Sequence, residues 1–108
     1  FVGKALEAGH HSRNVCIFAD GEVDRSPTGT GVSARVALHY AKKELDINQP
    51  ITIESIIGTT FTGKVVSTQD YGLYKAVIPE ITGSASIVGL CEWLIDPQDP
   101  LRNGFILR

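Results

Sequence analysis

The apolar run Asn14-Val15-Cys16-Ile17-Phe18, closed by Asp20-Gly21, has the length of a strand and ends on a turn signal. Further on the spacing changes. Ala34, Ala37, Leu38, Ala41 and Leu45 recur at helical intervals, which predicts a helix over 30–45 with one apolar face. That face is made largely of alanine, so the helix can approach a neighbouring backbone closely and is expected against or inside a curved sheet. Lys42 and Lys43 suit the negative end of its dipole. After Asn48-Gln49-Pro50 the chain turns to Ile, Val, Thr and aromatic residues, which predict strands over 51–57, 59–66, 71–78 and 84–95, punctuated by Gly58, Gly72, Pro79 and Gly83. Ile51, Ile53, Ser55 and Ile57 share one face by alternation. The first residues, 1–13, have no sustained period and read as a connector, and the turn-rich Asp96-Pro97-Gln98-Asp99-Pro100 opens a C-terminal segment, 96–108. One helix with a set of antiparallel strands is an α+β arrangement, without internal repeat.

Composition narrows the function classes. Net charge is −2 and the basic residues are scattered, which leaves no footprint for nucleic acid. No apolar run approaches the ~20 residues of a membrane helix, so no membrane partner is expected and the default compartment is the cytoplasm. A chain of 108 residues that begins at Phe1 and has no Met reads as a portion of a longer protein. Cys16 and Cys91 stand far apart in apolar runs, with no ligand at metal spacing, and read as reduced core thiols; no metal is expected. Cys16 as a nucleophile is the lesser alternative. His10 and His11 read as solvated loop residues, and His39 as a surface or half-buried one.

The informative segment is Asp24-Arg25-Ser26-Pro27-Thr28-Gly29-Thr30-Gly31-Val32-Ser33-Ala34-Arg35. A glycine-rich turn that opens a helix offers free N–H groups at the positive end of a dipole, which is an anion site. A phosphate-clamping Walker loop is excluded because Val32, not Lys, follows Gly31. The spacing Gly29-x-Gly31-x-x-Ala34 fits the dinucleotide pattern only loosely, since Asp-Arg-Ser-Pro intervenes between strand and glycines.

This segment resembles the Asp-Arg-Ser-Pro-Cys-Gly-Thr-Gly signature of the proline racemase family. Ile56-Ile57-Gly58, Phe61-Thr62-Gly63, Pro79-Glu80-Ile81-Thr82-Gly83, Asp96-Pro97-x-Asp99-Pro100 and Gly104-Phe105 are similar to that family's C-terminal half in order and spacing. The resemblance implies a diaminopimelate epimerase-like fold, in which two lobes, each a curved or barrel-like sheet around a central helix, close on a small imino acid. It also implies that no cofactor is needed and that 14–95 belongs to the second lobe, the first being absent from this chain, as is the Met-Cys-Gly-His-Gly motif that carries its Cys. A homodimer is also compatible with the resemblance.

Where the racemases carry their second Cys, this chain has Thr28. A thiol of pKa ~8.5 can be made a thiolate at a helix N-terminus, whereas an aliphatic alcohol cannot become a comparable base. The resemblance is therefore to the trans-3-hydroxy-L-proline dehydratase type, with Thr28 placed to hydrogen-bond near a departing hydroxyl. Asp24 matches the residue that holds the ring nitrogen, Gly29 and Thr30 the donors for the carboxylate, and Phe18 an aromatic over the ring. Core packing explains Phe18 nearly as well, and Arg25 reads as structural. An isomerase with another second acid, and a binding protein without catalysis, are the alternatives.

Overall fold

The computed structural model describes residues 1–107. Seven strands and one helix follow one another along these described residues: β1 (Val2–Gly3), β2 (Ser12–Asn14), β3 (Ile17–Phe18), β4 (Glu22–Val23), α1 (Gly29–Ala41), β5 (Ile51–Glu54), β6 (Thr60–Tyr71) and β7 (Tyr74–Thr82). Five of the strands form one sheet in the order β1-β2-β5-β6-β7, and β3 pairs with β4 in a separate hairpin. The α+β expectation holds, but the sheet is mixed: β2 runs parallel to β5, with Ser12 opposite Ile53 and Arg13 opposite Glu54, while the other pairings are antiparallel. Among the described residues the sheet is open, with β1 and β7 at its edges.

The helix lies on one face of this sheet. Ile51 and Ile53 on β5 and Val65 on β6 point toward it and are buried with Val32 and Val36 of α1 and with Leu45 beyond it. Thr52 and Thr62 pair on the opposite face, as do Lys64 and Glu80. Close approach is possible because Gly63 lies beneath the helix. A Cβ on Gly63 would come within 2.8 Å of Val32 Cγ1 and 3.0 Å of Val36 Cγ1. The β6–β7 hairpin turns through Gly72 at φ 60°, a loop position where glycine alone avoids a penalty.

Besides the strand ends over 51–82, several expectations need correction. The segment 1–13 is not a mere connector, since β1 and most of β2 lie in it. The run 14–18 is not one strand: β2 ends at Asn14, and β3 starts a different sheet. The helix stops at Ala41, where Lys43 at φ 61° takes the left-handed conformation and the N–H groups of Lys43 and Glu44 donate to Tyr40 O and His39 O, closing a Schellman-type cap. Its buried face is Val32 and Val36 rather than the alanine stripe, because the pit at Gly63 accepts branched side chains; Ala34 and Leu38 are exposed. Finally, 84–95 forms no strand, and its apolar residues, with Cys91, are exposed; these described residues contain no second layer for it to pack on.

Candidate functional site

The β3–β4 hairpin delivers the chain to Asp24, whose N–H donates to Cys16 O at 3.1 Å and so closes the hairpin's base. From there the loop is held by its own polar side chains. Ser26 N–H donates to Asp24 Oδ1 at 2.7 Å, Thr28 N–H to Ser26 Oγ at 3.0 Å, and Thr28 Oγ1 to Asp24 Oδ2 at 2.7 Å. Pro27 is fully buried beneath this turn. A second anchor comes from the β5–β6 loop, where Thr59 Oγ1 donates to Arg25 O at 2.9 Å while the buried Ser55 bonds the Thr59 hydroxyl and N–H. Arg25 contributes this carbonyl, and its exposed position suits a structural part.

Thr28 is the N-cap of α1, only 8% exposed, at φ 66° and ψ 116°. A β-branched residue at positive φ is strained by an order of ~1–3 kcal/mol and persists only where its surroundings hold it. Its hydroxyl does not cap the helix; it is committed to Asp24. That donor, followed by the N–H and hydroxyl of Ser26, holds the Asp24 carboxyl below its ordinary range, so it is ionised at neutral pH.

The first ladder bond of the helix runs from Val32 N–H to Thr28 O at 2.9 Å, so the N–H groups of Gly29, Thr30 and Gly31 precede the ladder. No acidic residue lies within this first turn, and the carboxylate beside the positive end of the dipole is that of Asp24, at the N-cap hydroxyl. Gly29 is half-buried and Thr30 exposed. Space at Gly31 is tight: a Cβ there would lie 3.0 Å from Cys16 Sγ, so the thiol would have to give by a few tenths of an ångström, and 3.5 Å from Asn14 Nδ2. The half-buried Cys16 thus forms part of the floor under this turn. Phe18, 50% exposed on β3, stands outside the Asp24–Ser26–Thr28 group.

Two polar clusters were not anticipated from the sequence. Arg35 reaches from α1 to β2, donating from Nη1 to Asn14 Oδ1 at 2.7 Å and from Nη2 to Ser12 Oγ at 2.8 Å, and both acceptors are buried. Its Nη2 also lies 3.1 Å from His39 Nε2, and His39 Nδ1 lies 2.6 Å from Glu44 Oε2. His11 packs edge-on against His39 with ring centroids 4.5 Å apart, and its pKa is lowered by burial, then by His39 and Arg35. On the far side of the sheet, Glu54 is 1% exposed and accepts from the N–H groups of Leu6 and Glu7, each at 2.9 Å, with His10 and Arg13 alongside. Those two N–H donors chiefly hold its pKa at about 2. His10, read as solvated, is therefore a partner of a buried carboxylate. The signal for the first cluster was present in Ser12-x-Asn14 and in Gly31, Arg35 and His39 at i, i+4 and i+8.

Among the described residues no group of three or more His, Cys, Asp or Glu side chains is placed to hold a metal ion, and no helix is long and apolar enough to cross a membrane.

The chain as a whole is similar to known proteins. The chain is 55% identical over its full 108 residues to a trans-3-hydroxy-L-proline dehydratase of Colwellia psychrerythraea, of which it covers 30%. It is 49% identical over 96 residues, 89% of its length, to a proline racemase of Clostridioides difficile, of which it covers 29%. A crystal structure of a hydroxyproline epimerase from Agrobacterium vitis with bound trans-4-hydroxy-L-proline superposes on 99% of the chain with a TM-score of 0.78 at 34% identity, again over 30% of the longer protein. The chain thus spans about 30% of the length of the curated relatives it matches. The family model described as proline racemase matches residues 1–106, from the first strand through the helix N-terminus to the C-terminal segment, and the chain belongs to the proline racemase family.

Proposed function

We propose that this chain supplies one half of the active site of an enzyme that dehydrates trans-3-hydroxy-L-proline to pyrroline-2-carboxylate. The observation that carries this reading is the Thr28 hydroxyl at the helix N-cap, 2.7 Å from Asp24, where the resemblance implies a thiol in the racemases. Racemisation takes a proton from one face of the α-carbon and returns one on the other, and an alcohol cannot serve as the second base at neutral pH. Dehydration removes only one α-hydrogen as a proton and the 3-hydroxyl as hydroxide, which together make one water. The resulting enamine tautomerises to the cyclic imine.

In this reading the ionised Asp24 receives the ring ammonium, the N–H groups of Gly29 and Thr30 receive the carboxylate, and Phe18 covers the ring. When the ammonium takes Asp24 as partner, the Thr28 hydroxyl is released to hydrogen-bond the departing oxygen. The base comes from a second lobe outside this chain, and the steps use no cofactor. The 55% identity to a dehydratase over the whole chain supports the reading, and the 49% identity to a racemase keeps an isomerase as the alternative.

The test gives the full-length protein trans-3-hydroxy-L-proline in D₂O. Formation of the imine is expected; recovery of deuterated substrate of inverted configuration would instead identify an isomerase, and binding without either product a non-catalytic relative. Thr28→Cys is expected to slow dehydration and to bring in some exchange at the α-carbon. The isolated 108-residue chain, lacking the opposing groups, is expected to show no turnover, at best millimolar affinity, about −4 kcal/mol, and self-association through the apolar surface that the other lobe would cover.

A further inference from the structure

Helix α1 presents two stripes. Val32 and Val36 press into the sheet at Gly63, while Gly31, Arg35 and His39 run up the side that meets β2. The second stripe is polar and continuous with the candidate site. Arg35 grips the buried Asn14 and Ser12, and Asn14 Nδ2 and Cys16 Sγ lie directly under Gly31 in the helix's first turn. Cys16 O in turn receives the N–H of Asp24. Arg35 itself is oriented from behind. The Schellman-type cap folds Glu44 back onto the helix, its carboxylate takes the Nδ1–H of His39, and this leaves Nε2 as the acceptor facing the guanidinium.

We infer that Arg35, oriented by His39 and Glu44, is the positioning residue for the Asp24–Thr28 turn: it locks β2 to the first turn of α1 and thereby fixes where the carboxylate of Asp24 and the N–H groups of Gly29 and Thr30 stand relative to each other. This assignment rests on reading that turn as the substrate site. The hydrogen bonds of Arg35 go to Asn14, Ser12 and His39 and not to Asp24 or Thr28, so its effect passes through Asn14 and Cys16. The planar guanidinium suits the task because it satisfies two acceptors on one strand while lying against a third, which a lysine's single ammonium does less well.

The test is native-state hydrogen exchange on the full-length protein without substrate. In Arg35→Met, protection of the Asp24 and Val32 amides, which close the two ends of the turn, is expected to fall about tenfold to hundredfold, the loss of one or two charge-assisted hydrogen bonds. The β5–β6 ladder, packed against the other stripe, is expected to keep its protection. Arg35→Lys should recover part of the loss. Glu44→Ala, at a half-exposed position, removes only the acceptor of His39 Nδ1 and should give the same local pattern at about two- to fivefold, and it decides the matter if Arg35→Met does not fold. Unchanged protection at Asp24 and Val32, or an equal fall in the β5–β6 ladder, overturns the assignment. Turnover of trans-3-hydroxy-L-proline, measured alongside, should fall in the order Arg35→Met, Arg35→Lys, Glu44→Ala. If the wild-type protein does not turn over this substrate, the functional reading fails while the exchange result still stands or falls on its own.

Discussion

The sheet with its helix and the arm over 84–107 are built from the same residue types, yet one buries its apolar side chains and the other does not. Ile51, Ile53 and Val65 are at most 7% exposed, whereas Ile87, Val88, Leu90, Trp93 and Leu94 are at least 84% exposed. The difference lies in what each segment has to pack against. β5 and β6 receive α1 through the pit at Gly63, but the arm has no facing layer among the described residues. An apolar run therefore encodes a demand for a partner without saying where that partner lies.

The largest expected contrast comes from truncating an equal kind of side chain in each region. Ile53→Ala removes a fully buried group and is expected to lower stability by about 2–5 kcal/mol in urea unfolding of the full-length protein. A smaller effect is expected from Gly63→Ala, whose methyl would meet Val32 and Val36 at 2.8 and 3.0 Å. Overpacking of this kind costs about 1–3 kcal/mol, and an unchanged unfolding midpoint would show that the helix can shift without loss.

Acid tests the same region by another route. The Glu54 carboxyl sits at about 2 instead of 4.5, held first by the N–H groups of Leu6 and Glu7. A depressed folded-state value means that its stabilising contribution is complete above 4.5 and is lost as pH falls from there toward about 2. Stability measured across that window should drop in the wild type, and Glu54→Gln should flatten the slope. Smallest of all, Trp93→Ala in the isolated chain is expected to change stability by no more than about 0.5 kcal/mol, as at other exposed positions. A larger loss there would mean that the arm does pack, and the contrast between the regions would disappear.

What the sequence disclosed follows the same division. The α+β class, the helix start and the Asp24–Thr30 turn were legible because turn glycines, helical spacing and a long local motif are written in consecutive residues. The packed face of α1 was not, because it depends on Gly63, more than thirty positions after the helix begins. β2 was missed because its buried residues, Ser12 and Asn14, are polar and are tolerated only where Arg35 reaches them across the fold. The parallel β2–β5 pairing was hidden for the same reason: hydrophobic alternation cannot announce a strand whose burial is settled by hydrogen bonds. In the site, the link between Thr28 and Asp24 emerges only when the turn closes.

If Thr28 acts as proposed, its conformation sets folding and chemistry against each other at a single position. Glycine tolerates φ 66° and ψ 116° better than a β-branched residue, so a search among variants for thermal resistance alone should favour Thr28→Gly over the native residue, even though it gives up the bond to Asp24. Selection for turnover should restore the threonine from the same pool. A position at which two such screens disagree identifies itself as functional without any knowledge of the substrate, and in this chain residue 28 is where that disagreement is expected to be sharpest.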